Sequence, residues 1–250
     1  MKYVQHRRQD SMPVLLPLLL ASGSLAVLAI LWRRRAAPRA EESVTRKSAN
    51  AHDVERAPRS ETADTQTASR GAGPMIHRRY EVELPDRAIS RDIVLHLMQL
   101  HLTELAPSAL ADFQKSEGSD TVFRIDDEYE ITMLGPWNGS VRVAEITSDS
   151  FTLVTLDGHP EAGHITFSVH EDAVASSTLR VVIESWARSR DALVAVAYGT
   201  LGIGKQVQTE VWVTFLQRLA ELAGVDTRPE VSITTETLPE SAVRGADAGR

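Results

Sequence analysis

The sequence predicts an α+β domain in which a curved antiparallel sheet wraps around a long C-terminal helix, preceded by one transmembrane helix. Three observations support this class. Residues 12–32 are apolar and uncharged, residues 121–187 form short alternating apolar runs, and residues 191–223 repeat apolar positions at helical spacing. Because the alternating runs are joined by short, turn-rich connectors, consecutive strands are expected to pair antiparallel.

The predicted transmembrane helix is the 21-residue uncharged stretch at residues 12–32. At a rise of about 1.5 Å per residue it is long enough to cross a hydrocarbon core of about 30 Å. Arg33, Arg34 and Arg35 follow it directly and are typical of a stop-transfer flank, whereas a cleaved signal peptide is the alternative. The excess of basic residues after the stretch favours a single-pass membrane protein with a cytoplasmic C-terminal domain.

Composition divides the chain into five parts. Residues 75–250 hold 15 basic and 27 acidic residues, a balance that argues against nucleic-acid binding. The chain has no cysteine, which excludes disulfides, thiol catalysis and cysteine metal sites. We expect a short basic N-terminus at 1–11, the anchor at 12–32, a disordered linker at 33–74, a folded domain at 75–223 and a disordered tail at 224–250.

Within the folded domain the pattern predicts a strand, a helix, a run of strands and a long helix. The first strand is Tyr80–Leu84, and Ser90 is expected to cap a helix that ends before Pro107. Apolar residues on that helix are Ile93, Val94, Leu97, Leu100 and Leu105. The later strands are expected at Thr121–Ile125, Tyr129–Leu134, Ser140–Ile146, Phe151–Leu156, His164–His170 and Thr178–Ala187, and the long helix at Asp191–Ala223.

Three motifs carry a resemblance to a known family. They are GPWNGSVRV at residues 135–143, TLDGHPEAG at residues 155–163 and ESWARS at residues 184–189. In this order the segment 78–222 resembles the domain of unknown function 1990 family, which is similar to the START-like helix-grip superfamily. The resemblance implies a cavity between the sheet and the C-terminal helix, but no activity, cofactor or catalytic residue.

A cavity of this kind suits one apolar or amphipathic small molecule, for example a lipid. The favoured function is therefore a membrane-tethered binding domain without a cofactor. One alternative is an enzyme of cyclase or hydrolase type that acts on such a ligand. Another is an interaction protein with a filled core and no cavity.

The candidate ligand-binding residues are Trp137, Arg142, Glu184 and Trp186. On the last predicted strand Glu184 and Trp186 alternate onto one face, so they would line the cavity together if that face were concave. A carboxylate in apolar surroundings has a raised pKa, which makes Glu184 the candidate general acid or base. The alternative is a solvated face on which Glu184 pairs with an arginine.

Two other patterns suggest chemistry and are set aside. His159, Glu161 and His164 are residue types that bind zinc, but they fall in a hairpin loop and at the start of the strand after it, so no metal is expected. The stretch GTLGIGK at residues 199–205 matches part of a P-loop, yet Gln206 replaces the Ser or Thr that holds magnesium. This stretch is therefore predicted to be helical.

Overall fold

The computed structural model describes residues 42–46, 62–85, 89–119, 121–133, 138–171, 178–192 and 203–240. These residues form one nine-stranded sheet in the order β1-β9-β2-β8-β7-β6-β5-β4-β3. The strands are β1 Glu42–Arg46, β2 Ala72–Pro85, β3 Ala111–Glu117, β4 Glu128–Met133, β5 Asn138–Ile146, β6 Ser150–Thr155, β7 Glu161–Glu171, β8 Thr178–Ser189 and β9 Ser232–Leu238. Only β1 and β9 pair in parallel among them.

The meander from β3 to β8 follows from its connectors. Between β5 and β6, the Thr147 hydroxyl accepts a hydrogen bond from the Ser150 amide at 3.0 Å, and the Thr147 amide donates to the Ser150 carbonyl at 2.8 Å. The connection is therefore a tight hairpin that only antiparallel strands can share. The predicted antiparallel sheet is confirmed.

Three helices are described: α1 Arg91–Leu100, α2 Leu102–Leu105 and α3 Ile203–Leu222. Ser90 caps α1 as expected, because its hydroxyl accepts a hydrogen bond from the Ile93 amide at 3.4 Å. The single helix predicted to end before Pro107 is divided into two, since α1 ends at Leu100 and the short helix α2 ends at Leu105. The expected start of the long helix, at residues 193–202, lies outside the described residues.

The buried face of α1 differs from the predicted one. Val94 and Met98 are completely buried, whereas Ile93 and Leu100 remain 52% and 44% exposed. Because α1 carries apolar residues on both faces, periodicity alone does not determine which stripe faces the sheet.

The main core lies between α3 and one face of the sheet, here called the helix side. Phe151 and Phe167 are register partners on β6 and β7, and their rings stack at 4.7 Å between centroids. The Phe167 ring also meets Trp212 and Phe215 of α3, both at 5.5 Å. Tyr80 and Ile183 continue this face across β2 and β8, so the expected arrangement of sheet and C-terminal helix is confirmed.

One predicted strand is wrong, and the strand at the edge of the sheet was missed. Residues 121–125 form a loop, while the edge strand is β3 at Ala111–Glu117. The loop carbonyl of Val122 accepts a hydrogen bond from Lys115 Nζ at 2.7 Å, an interaction that replaces a strand ladder. The missed strand contains few β-branched or aromatic residues, since Phe113 is its one strong strand former.

The expected disordered linker and tail both contain structure. Strand β9 lies in the predicted tail, and its Ile233 and Leu238 are 4% and 0% exposed. In the predicted linker, β1 pairs with β9. The Gln66 side chain donates to the carbonyls of His159 and Glu161, both at 2.7 Å. These short polar segments fold because a preformed sheet supplies their partners.

The predicted transmembrane stretch at residues 12–32, together with residues 1–11, lies outside the described residues. Within the ranges that are described, no helix is both long and apolar enough to cross a membrane.

Strand β9 gives a direct test of the ordered tail. The Ile233→Ala variant should lower the free energy of unfolding by about 2–5 kcal/mol, because it empties a buried site against the helix side of the sheet. The neighbouring exposed Ser232→Ala variant should change the free energy by less than about 0.5 kcal/mol. Urea unfolding of both variants measures the difference, and equal values would mean that the tail does not join the core.

Candidate functional site

The expected pocket residues Glu184 and Trp186 do not face α3. Ile183 lies on the helix side because it is the register partner of Phe167, so strand alternation turns Glu184 and Trp186 to the opposite, outer face. Glu184 therefore cannot act as an acid or base in a cavity between the sheet and α3. The alternative, in which Glu184 pairs with an arginine, is met by Arg79 of β2 at 3.8 Å, but the shorter contact of Glu184 is with His77.

His77 is the centre of a polar cluster on that outer face. Its Nε2 lies 2.6 Å from Glu184 Oε1, its Nδ1 lies 3.2 Å from Glu236 Oε2, and its ring stacks on Trp186 at 3.8 Å. The cluster therefore joins β8, β2 and β9 side by side. Met75 and Leu238 pack against Trp186 and shield it from water.

Opposing effects set the ionisation of this cluster. Burial alone would lower the pKa of His77, but hydrogen bonds to Glu184 and Glu236 outweigh it and raise the pKa above its ordinary value. The hydrogen bond from His77 lowers the pKa of Glu184 against the effect of burial. The arrangement thus favours a charged imidazolium between two carboxylates.

Arg142 also lies on the outer face, where its guanidinium connects separate segments of the chain. Its guanidinium donates to Glu128 Oε1 at 2.8 Å through Nε and to Asp64 Oδ2 at 2.5 Å through one terminal nitrogen, and it also donates to the Thr62 hydroxyl. These bonds tie the segment before β2 to β4 and β5 and hold the pKa of Asp64 well below its usual range. Trp137, the fourth expected residue, lies outside the described residues.

The alternative metal ligands are separated by the sheet. Glu161 lies on the helix side, where its Oε2 accepts a hydrogen bond from Gln208 of α3 at 3.1 Å. His164, in contrast, is the register partner of Trp186 and lies on the outer face. Nδ1 of the buried His159 ring accepts a hydrogen bond from the Glu161 amide at 3.0 Å. Burial lowers the pKa of His159 to about 4. No group of three potential metal ligands occurs in the described part of the chain.

Burial also raises the pKa of Glu161, although Arg78 and Gln208 oppose the shift. Glu161 is therefore a carboxyl with a raised pKa on the helix side, where the sequence had suggested Glu184. Its position in a turn motif gave no sign of this contact with α3.

A cleft of about 270 Å³ opens beside the edge of the sheet. Its walls come from the end of α1, α2, strands β3 and β4, and the loop between those strands. Phe113, Phe123 and Tyr129 form part of its lining, but Phe113 and Tyr129 are almost completely buried and the Phe123 ring packs against Phe151 of the core. The remaining lining residues are Gln99, Leu100, Leu102, Thr103, Gln114, Lys115 and Val122.

Lys115 holds the loop that forms one wall of the cleft. Its ammonium donates to the carbonyls of Ser119 and Val122 at 2.6 and 2.7 Å and to Asp127 Oδ2 at 2.6 Å. The same ammonium lies 5.7 Å from the centre of the Tyr129 ring. With its charge satisfied inside the wall, Lys115 fixes the shape of the cleft before any ligand arrives.

Sequence reasoning missed this cleft because two of its walls depend on the missed strand and the misread loop. The available signal was Phe123, an aromatic residue in a polar loop, close in sequence to Phe113 and Tyr129.

The comparison with known families agrees with the motifs. A family model described as Domain of unknown function (DUF1990) matches residues 109–221, which confirms the resemblance for β3 to β8 and α3. This part of the chain is similar to that family. No curated protein matches the chain.

Several solved structures are distantly similar. A conserved protein from Geobacillus kaustophilus is 11% identical with a TM-score of 0.41, and the match covers 62% of this chain and 98% of that one. The Zhui aromatase/cyclase from Streptomyces sp. R1128 is 13% identical with a TM-score of 0.45, covering 60% and 94%. Norcoclaurine synthase from Thalictrum flavum is 11% identical with a TM-score of 0.42, covering 64% and 92%. At this distance none of them assigns an activity to this chain.

The His77 cluster predicts how stability depends on pH. Because the folded pKa of His77 is raised, its contribution is fully present below its ordinary pKa of 6.5 and is lost as the pH rises through the folded pKa. The free energy of unfolding should therefore fall more steeply as the pH rises above 6.5 in the parent protein than in His77→Gln.

Urea midpoints measured across that range test the prediction. The exposed His96→Gln variant is the matched control and should keep the parent slope. Parallel slopes for the parent protein and His77→Gln would contradict the assigned role of the cluster.

Proposed function

We propose that this chain, of which residues 109–221 match the DUF1990 family model, holds an apolar or amphipathic small molecule in the cleft beside β3 and β4. Residues 12–32 would anchor the chain in a membrane, with the folded domain on the cytoplasmic side, so that the ligand is exchanged close to a bilayer. The family description itself gives no activity.

The mixed composition of the cleft is the observation that carries this proposal. Phe113, Phe123 and Tyr129 form part of its wall, with Phe123 the least buried of the three, and Leu100 adds exposed aliphatic surface. Ligand sites typically combine such apolar walls with a few polar groups, which Gln99, Thr103 and Gln114 supply here. The volume of about 270 Å³ suits a small ring system or part of a longer chain.

The location differs from the expected cavity between the sheet and α3. Along β6 and β7 that space is occupied by Phe151, Phe167, Trp212 and Phe215. A ligand would have to displace this packed aromatic cluster, whereas the cleft is already open.

Binding is favoured over catalysis by the ionisable groups that line the cleft. Lys115 is neutralised by Asp127, with an N–O distance of 2.6 Å. Burial raises the pKa of Tyr129 far above its ordinary value, so its hydroxyl stays protonated and offers no base.

A substitution that fills the cleft tests the proposal. In native mass spectra of the full-length chain purified from cells, we expect an adduct of a few hundred daltons. Thr103→Trp places a large side chain in the cleft and should reduce adduct occupancy at least tenfold. Glu104→Trp, one residue away and outside the lining, should retain it.

Thermal unfolding of both variants controls for damage to the fold, since residues 103 and 104 both lie in α2 near its surface. Equal adduct occupancy in Thr103→Trp and Glu104→Trp, or no adduct in the parent protein even after incubation with lipids, would overturn the proposal.

A further inference from the structure

Two exposed aliphatic side chains line the cleft, Leu100 of α1 and Val122 of the β3–β4 loop. Together with Ile93 of α1 and Ile125 of the same loop they are here called the apolar rim. In that order, their exposed fractions are 44%, 37%, 52% and 51%. They make up four of the five large hydrophobic residues that are exposed in the described part of the chain. Single exposed aliphatic residues are ordinary, but a group around one opening marks an interaction surface.

Geometry joins the members of the rim. Ile93 and Leu100 are seven residues apart on α1, so they lie on the same stripe two turns apart. Leu100 and Val122 both line the cleft, which brings the helix stripe and the loop together at its mouth. Ile125 follows three residues after Val122 in the same loop.

The loop that presents Val122 and Ile125 is held in place. Besides the bonds from Lys115, the Asp126 amide donates to the Val143 carbonyl at 2.9 Å, and the Arg124 amide donates to Asp127 Oδ2 at 2.7 Å. Asp126 adopts a positive φ of 69°, which forms the sharp bend after Ile125. The aliphatic residues are therefore displayed outward by a fixed backbone.

We propose that the apolar rim docks into the interface of a lipid bilayer, so that the cleft opens toward the membrane. This inference rests on the proposed function and names the partner of the same site. It gives an apolar ligand a path between bilayer and cleft that avoids water. Aliphatic side chains inserted to the depth of the headgroups are the usual anchors of proteins that lie on a membrane.

The same chain supplies the reason to favour a bilayer over another protein. It contains the uncharged stretch at residues 12–32, and only nine residues separate that stretch from β1. Nine residues extend at most about 35 Å between the flanking Cα atoms, so an embedded stretch would keep the domain beside the lipid surface. The acidic balance of residues 75–250 favours insertion into a neutral lipid interface over attraction to anionic headgroups.

The absence of cysteine allows a site-specific test on the full-length chain. Ile125→Cys and Glu83→Cys are each labelled with an environment-sensitive fluorophore and reconstituted into phosphatidylcholine vesicles that contain nitroxide-labelled lipid. Glu83 is the control, because it is exposed on the outer face of β2. We expect the label at residue 125 to be quenched at least threefold more than the label at residue 83.

Equal quenching at the two positions would overturn the docking of the rim. The docking would also be overturned if the label at residue 125 were not quenched by the lipid but became less accessible to water as the protein concentration rose. That result would indicate a second copy of the chain as the partner. A further variant, Leu100→Glu combined with labelled Ile125→Cys, should lose the quenching because it places a charge in the rim.

The native mass measurement separates this inference from the proposed function. An adduct without quenching at residue 125 rejects the rim and leaves ligand binding in place. Quenching without an adduct rejects ligand binding and leaves a membrane-docked domain.

Discussion

The packing of Phe167 against Trp212 and Phe215 determines which face of the sheet meets α3, and the rest of the structure depends on it. In a strand, a shift of register by one residue exchanges the two faces. With Phe167 turned inward, its register partners Phe151 and Ile183 must also turn inward. Glu184 and Trp186 are then directed outward by the same rule, and no local preference can reverse this.

The outer face consequently serves to hold the sheet together and to fasten the segment before β2. His77 links β8 to β9, and Arg142 links the chain around Asp64 to β4. Both side chains lie between two carboxylates, and partial burial reduces the screening of such pairs by salt. Glu184 and Arg142, which the sequence analysis assigned to a ligand, thus already have charged partners within the protein.

Short sequence patterns predicted those elements that depend only on residues close to one another in the chain. The strand around Tyr80, the cap at Ser90 and the hairpin at Thr147 each follow from a few adjacent residues. The inward face of β8 could not be predicted, because Val181, Val182 and Ile183 are all fully buried and apolar residues therefore occupy both faces. Strand β9 was missed because its polar, threonine-rich sequence becomes a strand only through pairing with a long β2.

The cleft was the hardest feature to predict from the sequence, because it forms at the edge of the sheet. Strand β3 ends the sheet in the described part of the chain, so its side chains meet no further strand on one side. The end of α1 and the β3–β4 loop enclose this border only incompletely, and a cleft remains between them. The loop brings Phe123 into the cleft because Lys115 neutralises Asp127 within its wall, and the same bend leaves Val122 and Ile125 facing solvent. The cleft and its exposed apolar border therefore have one origin, which couples the proposed ligand site to the proposed membrane-docking surface.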